Sequence, residues 1–185
     1  MQYTTQKASV TLSQLAIVDV QAKLAAVMPV ADMQAVVKNC SILLQAANML
    51  NVAYIVTEQY PQGLGPTVPE LASLIQQPPV EKITFSCVAE PKFNRHLTRD
   101  HSQVVLAGME AHICILQTAL DLLSTGKQVF VVEDAIISRN PANKANAIER
   151  MRSAGCVITN TESLVFEWLG VASGDAFKAM SKLIR

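Results

Sequence analysis

The run Gln103-Val104-Val105-Leu106-Ala107-Gly108 leads into Met109-Glu110-Ala111-His112-Ile113-Cys114. After a stretch ending at Gly126 comes Gln128-Val129-Phe130-Val131-Val132-Glu133-Asp134-Ala135. The two outer runs are short and nearly continuous in Val, Leu and Phe, as strands buried on both faces are. Between them Ile115, Leu116, Ala119, Leu120, Leu122 and Leu123 recur at helical spacing, and Gly126 stands where such a helix stops. Strand, helix and strand at this length make a βαβ unit, whose right-handed crossover leaves the two strands parallel.

The same alternation extends in both directions. Further strands are predicted at Leu15–Val20, Val52–Thr57, Lys82–Ser86 and Cys156–Asn160. Helices are predicted at 67–77, 90–98, 111–125, 142–154, 161–169 and 174–184. Between the first two strands, Met33, Val36, Val37, Cys40, Leu43, Leu44, Ala47 and Leu50 form one apolar stripe, with Asp32 as its cap. Phe166, Trp168, Phe177, Met180 and Ile184 read as packing faces of the C-terminal helices, and Lys178, Lys182 and Arg185 suit the negative end of the last one. Strands alternating with helices imply a three-layer α/β domain, expected to occupy residues 1–185 as a single unit.

Composition narrows the function. The chain has 185 residues, 50% hydrophobic and 16% charged, with 15 Lys+Arg against 15 Asp+Glu. So apolar a chain is not disordered. A neutral balance without a basic block argues against nucleic-acid partners and against a membrane-surface role. No apolar run reaches the roughly 18 residues that a membrane span needs, and Met1 to Gln14 carry no leader pattern, so a cytoplasmic protein is expected. Zero net charge on an apolar chain also favours homo-oligomers. The four cysteines, none in a Cys-x-x-Cys pair, make neither a disulfide scaffold nor a zinc ribbon.

In an open parallel sheet, ligands bind beyond the carboxyl ends of the strands. That selects Asp19, Thr57–Glu58, Ser86–Cys87, Gly108 to Cys114, Asp134 and Thr159. No glycine-rich turn follows the first strand, so a dinucleotide site is not indicated, and Gly63-Leu64-Gly65-Pro66 reads as a turn. Cys114 falls in the first turn of its helix, where backbone dipoles favour thiolate. It lines up there with Thr118, Asp121 and Thr125 on the polar side; nucleophile and small buried hydrophobe both remain open for it. Asp19 serves either as a general base or as a loop acceptor. Lys82, at the start of its strand, reads as an ordinary solvated lysine. His112 is two residues before Cys114, on another helix face, and makes a poor Cys–His pair. His96 and His101 read as surface, and Cys40, Cys87 and Cys156 as core. No spacing on one helix suggests metal ligands.

Taken together these pieces resemble the isochorismatase-like cysteine hydrolase family. The matching motifs are Ala16-Ile17-Val18-Asp19-Val20-Gln21, Lys82-x-x-Phe85-Ser86 and Gly108-Met109-Glu110-Ala111-His112-Ile113-Cys114. The stretch from Thr57-Glu58-Gln59-Tyr60 to Pro69-Glu70 looks like the isochorismatase domain-containing subgroup. The resemblance implies an α/β/α sandwich on a six-stranded, mainly parallel sheet, with Asp19, Lys82 and Cys114 as a catalytic triad. It implies a cis Met109–Glu110 peptide and an oxyanion hole of the Glu110 and Cys114 amides. By position, Gln21, Tyr60, Phe85, Met109 and His112 would bind substrate. The implied activity is a cysteine hydrolase of a small amide or related acyl compound, with homo-oligomers and no cofactor. Metal-binding relatives carry Asp-x-His after the second strand; Glu58-Gln59-Tyr60 stands there instead, which counts against a metal and against nicotinamide. The alternatives are a non-catalytic oligomeric scaffold and a vinyl-ether hydrolase, with a nucleic-acid role behind both.

Overall fold

A computed structural model describes residues 6–184, so Arg185 lies outside the described residues. In chain order the elements are β1 (Ser13–Val18), α1 (Ala22–Ala25), α2 (Val30–Leu50), β2 (Ala53–Gln59), α3 (Pro61–Leu64), α4 (Pro69–Ala72) and β3 (Val80–Lys82). A 3-10 turn (Cys87–Ala89) and α5 (Pro91–His96) precede β4 (Gln103–Met109), a π turn (Ala111–Ile115) and α6 (Leu116–Ser124). The chain ends with β5 (Gln128–Ile137), α7 (Pro141–Ala154), β6 (Val157–Thr159), α8 (Thr161–Leu169) and α9 (Gly174–Leu183).

The six strands form one sheet in the order β3-β2-β1-β4-β5-β6, and every pairing is parallel. Side chains alternate between its faces. Leu15, Ile17, Val105, Ala107, Phe130 and Val132 pack under α2, α8 and α9 with Leu43, Leu44 and Trp168. Ala16, Val18, Val104, Leu106, Val129 and Val131 face α5, α6 and α7 with Phe93, Leu122 and Met151. These are the three layers that the strand–helix alternation predicts. Because α2 and α6 follow the two central strands on opposite faces, strand order reverses between β1 and β4, and the crevice of the fold opens at their carboxyl ends.

At that crevice β1 and β4 come unusually close. Gly108 has φ 118°, and a Cβ there would lie 2.0 Å from the Val18 carbonyl oxygen. Only glycine fits. Elsewhere the ends are set by local chemistry. The Asn140 side chain accepts from the Ala142 amide ahead of Pro141, and the Asn160 side chain accepts from the Ser163 amide. Asp32 is not the cap of α2: the helix starts at Val30 after Pro29, leaving Asp32 inside its first turn.

Two further expectations change. The helix over 67–77 shrinks to α4, because Thr67 and Val68 donate their amides to Glu58 and Val20 rather than joining a helix. The third strand is Val80–Lys82, not Lys82–Ser86. Ile83 and Phe85 are 78% and 55% exposed, so the β-branched and aromatic residues that suggested a strand are not core positions. Lys82 therefore ends its strand instead of beginning it, which brings it to the carboxyl edge of the sheet.

Candidate active site

β1 ends at Val18, and Asp19 turns the chain with φ 54°, a left-handed conformation that Asp tolerates better than most residues. Thr57, near the end of β2, holds this turn twice. Its carbonyl accepts from the Asp19 amide at 3.1 Å, and its hydroxyl donates to Asp19 Oδ1 at 2.7 Å. Lys82 reaches across β2 and donates to Asp19 Oδ2 at 2.7 Å, both side chains being fully buried. The same ammonium donates to Gln59 Oε1 at 2.7 Å, Thr84 O at 3.1 Å and Phe85 O at 3.2 Å. The segment after β3 thus curls around the charge, which is why it leaves the sheet. Cys114 Sγ lies 3.7 Å from the same ammonium.

The surroundings set the protonation of this cluster. Burial alone would lower the Lys82 pKa, but the Asp19 carboxylate, with the neighbouring Cys87 and Cys114 sulfurs, outweighs it, and the net direction is up. Burial pushes the Cys114 thiol well above the ordinary range; Asp19 adds to this and Lys82 only partly opposes it. The expectation that a helix start makes Cys114 a thiolate is therefore corrected. A first-turn dipole contributes about 0.3–1 kcal/mol, too little against desolvation, and Cys114 lies in a π turn rather than in the first turn of α6. The π turn also changes its neighbours. Cys114 and Thr118 are both buried rather than on a polar face, and Thr118 Oγ1 accepts from the Cys87 amide at 2.9 Å. With the proton on sulfur the cluster holds one carboxylate and one ammonium. Moving that proton to Asp19 leaves a thiolate and an ammonium, with no change in net charge. Burial opposes loss of the proton to water far more than its transfer within the cluster.

A stability consequence follows for alkaline solution. Burial pushes Cys87 and Cys156 up to about 11 and Cys40 up to about 12, with Cys114 and Lys82 also raised. Above pH 9 the unfolded chain releases these protons first, so the native state holds more of them and stability falls as pH rises. Each group contributes up to about 1.4 kcal/mol per pH unit between its two values. Urea unfolding at pH 8 and pH 10 is expected to show a clear loss of stability at the higher pH.

The remaining candidates fall into two groups. Tyr60 and Phe85 are exposed, 54% and 55%, on the segments that follow β2 and β3. His112 is half-buried, its Nδ1 2.9 Å from Ser138 Oγ. Gln21 and Met109 are fully buried. The Gln21 amide bridges the loop after β2, donating to Gln59 O and Gly65 O and accepting from the Gln59 amide. Glu110 directs its carboxylate to the amide and Nε of Arg139, leaving its backbone at the mouth of the π turn after a cis Met109–Glu110 peptide. Two contributors are absent from the sequence reading of the triad, Thr57 and Gln59. They stand two apart on β2 and so share a face, the signal by which they could have been found.

The residues at the end of β2, where the resemblance set an Asp-x-His metal motif for comparison, have other partners here. Glu58 Oε1 accepts from the Thr67 amide and hydroxyl, Gln59 holds Lys82, and Tyr60 is a phenol. This donor set does not fit a metal. Among the described residues, no three His, Cys, Asp or Glu side chains gather as metal ligands, and no helix is long and apolar enough to cross a membrane. A cavity of about 530 Å³ lined by Met28, Val30, Met33 and Val37 lies at the start of α2. It shares no residue with the cluster, so reactive groups and not volume mark the site.

The sequence model of the isochorismatase domain matches residues 13–163. The chain belongs to the isochorismatase domain family. Isochorismatase domain-containing protein 2 of Bos taurus is 43% identical over 143 residues, covering 77% of this chain and 70% of the relative. The secreted isochorismatase effector Isc1 of Phytophthora sojae is 40% identical over 157 residues, covering 81% and 74%. Among solved structures, the MAR1 ribonuclease of Caenorhabditis elegans superposes with a TM-score of 0.89 at 36% identity, covering 96% of this chain and 92% of that one. The isochorismatase fold thus accounts for the sheet order and for the crevice between β1 and β4.

Proposed function

We propose that this isochorismatase-family chain is a metal-independent cysteine hydrolase of a small amide or related acyl compound. One observation carries the reading: a single buried ammonium lies 2.7 Å from Asp19 and 3.7 Å from Cys114 Sγ, joining side chains from three distant segments. Asp19 takes the thiol proton while Lys82 holds the charges together, and Sγ attacks the acyl carbon. The Glu110 and Cys114 amides stabilise the oxyanion. The tetrahedral adduct collapses as Asp19 returns the proton to the leaving nitrogen. Water, deprotonated by Asp19, then cleaves the thioester and releases the acid and free thiol. Tyr60, Phe85 and His112 form the rim that meets the substrate, with Gln21 and Met109 beneath it.

Exposed Ile83 and Phe85 beside the site, with Val30 at 73% exposure, support association into homo-oligomers. An RNA substrate, suggested by the name of the C. elegans protein, meets a chain of 15 basic and 15 acidic residues without the positive balance that phosphate binding draws on. Incubating the protein with metabolite extract and reading mass shifts on the Cys114 peptide tests the hydrolase reading. An acyl adduct on Cys114, absent in Cys114→Ala, is expected. Turnover that survives Cys114→Ala but not Asp19→Asn would instead indicate vinyl-ether hydrolysis. Tight metabolite binding without an adduct or turnover would indicate a scaffold.

A further inference from the structure

Asp19 is held by two donors of different kinds. Lys82 Nζ bonds Oδ2 and has no lone pair, so it can only donate. Thr57 Oγ1, 2.7 Å from Oδ1, can donate or accept. On its far side Thr57 Oγ1 is 4.0 Å from Cys87 Sγ, a contact in which either atom can be the donor. Cys87 is fully buried, and its backbone is fixed by the Thr118 hydroxyl one turn after Cys114. Asp19, Thr57 and Cys87 therefore form a buried chain behind the proposed nucleophile, closed to water at its far end.

A carboxylate that alternates between base and acid needs neighbours that suit both forms. A fixed donor at each oxygen favours the anion and opposes proton uptake. From this we infer that Thr57 is a positioning residue whose hydroxyl reverses its hydrogen bond each time Asp19 changes protonation, with Cys87 sulfur receiving the turned hydroxyl hydrogen. In the resting state Thr57 O–H points to Oδ1. When the Cys114 proton arrives on Oδ1, the S–H bond breaks and an O–H bond forms. The Thr57 hydroxyl then rotates, accepts from Oδ1–H and donates to Cys87 Sγ. No covalent bond of Thr57 or Cys87 changes. When Asp19 gives the proton up, the hydroxyl turns back. This rests on the cysteine-hydrolase reading and assigns Thr57 and Cys87 a role in it.

The test is iodoacetamide labelling of Cys114, read by peptide mass spectrometry from pH 6 to 8 on the wild type, Thr57→Val, Thr57→Ser and Asp19→Asn. Circular dichroism checks folding, and Thr57→Ala is measured in the same way should Thr57→Val not fold. Transfer within the cluster makes the wild-type rate nearly independent of pH. Thr57→Val is expected to slow labelling about tenfold at pH 7 and to restore a rise of about tenfold per pH unit, the signature of a thiol ionising to solvent. Thr57→Ser, which keeps the hydroxyl, is expected to retain the wild-type rate and profile. Fast wild-type labelling lost in Asp19→Asn but unchanged in Thr57→Val overturns the role of Thr57 while leaving the hydrolase reading intact. So does a slow Thr57→Val with a flat profile, or a Thr57→Ser as slow as Thr57→Val. Wild-type labelling that is slow and insensitive to Asp19→Asn overturns both.

Discussion

Asp19→Asn is expected to reduce turnover on any substrate by about a thousandfold, within the range that positioned acid–base groups contribute. The asparagine amide occupies nearly the same volume, and its oxygen can still accept from Lys82 while its NH2 group donates to the Thr57 hydroxyl, but that oxygen is too weak a base to take the thiol proton. Cys114 then ionises only to solvent, against a burial that pushes its pKa up. The loss should fall on kcat and on the rate of acyl-adduct formation, since the proposed rim residues Tyr60, Phe85 and His112 are untouched. Single-turnover adduct formation followed by mass spectrometry separates this from a loss of binding. A variant that forms the adduct at the wild-type rate would show that the carboxylate does not take the proton.

Lys82→Met carries the largest expected effect on stability. The ion pair it breaks has both side chains at 0% exposure, and removing one partner of such a pair typically costs about 3–5 kcal/mol because the other charge is left unpaired. Thr57 alone would face the stranded Asp19 carboxylate. Acidification should narrow the deficit, because a buried carboxyl without its cation prefers the neutral form. The double variant Asp19→Asn with Lys82→Met removes both charges and is expected to recover much of the stability but none of the activity. Urea unfolding of wild type, both single variants and the double variant at pH 7 completes the cycle. Additive losses would mean that the pair is not coupled as its geometry indicates.

Much of the fold was legible in the chain because its strands are buried on both faces. Continuous runs such as Val104 to Ala107 and Val129 to Val132 leave little choice beyond a parallel sheet covered by helices. The motif around Asp19 and the turn from Gly108 to Cys114 could likewise be placed at the crevice. Lys82 could not. A lysine between Glu81 and Ile83 carries no mark of burial; what buries it is its reach across β2 to Asp19 and the backward curl of Thr84 and Phe85 onto its ammonium. Periodicity likewise misplaced Cys114, since a π turn shifts the helical register in which it seemed to share a polar face with Thr118. Gln59 escaped notice because its task, holding an ammonium, exists only once three separate segments have come together.

The most direct test compares how fast the four cysteines react with iodoacetamide at pH 7, resolved peptide by peptide, in wild type and Asp19→Asn. Cys40, Cys87, Cys114 and Cys156 are all buried, so burial alone would leave them similarly slow. If Asp19 draws the proton from Cys114, that cysteine labels well ahead of the other three in the wild type and loses its lead in Asp19→Asn. Labelling of Cys114 no faster than Cys87 in the wild type would contradict the account.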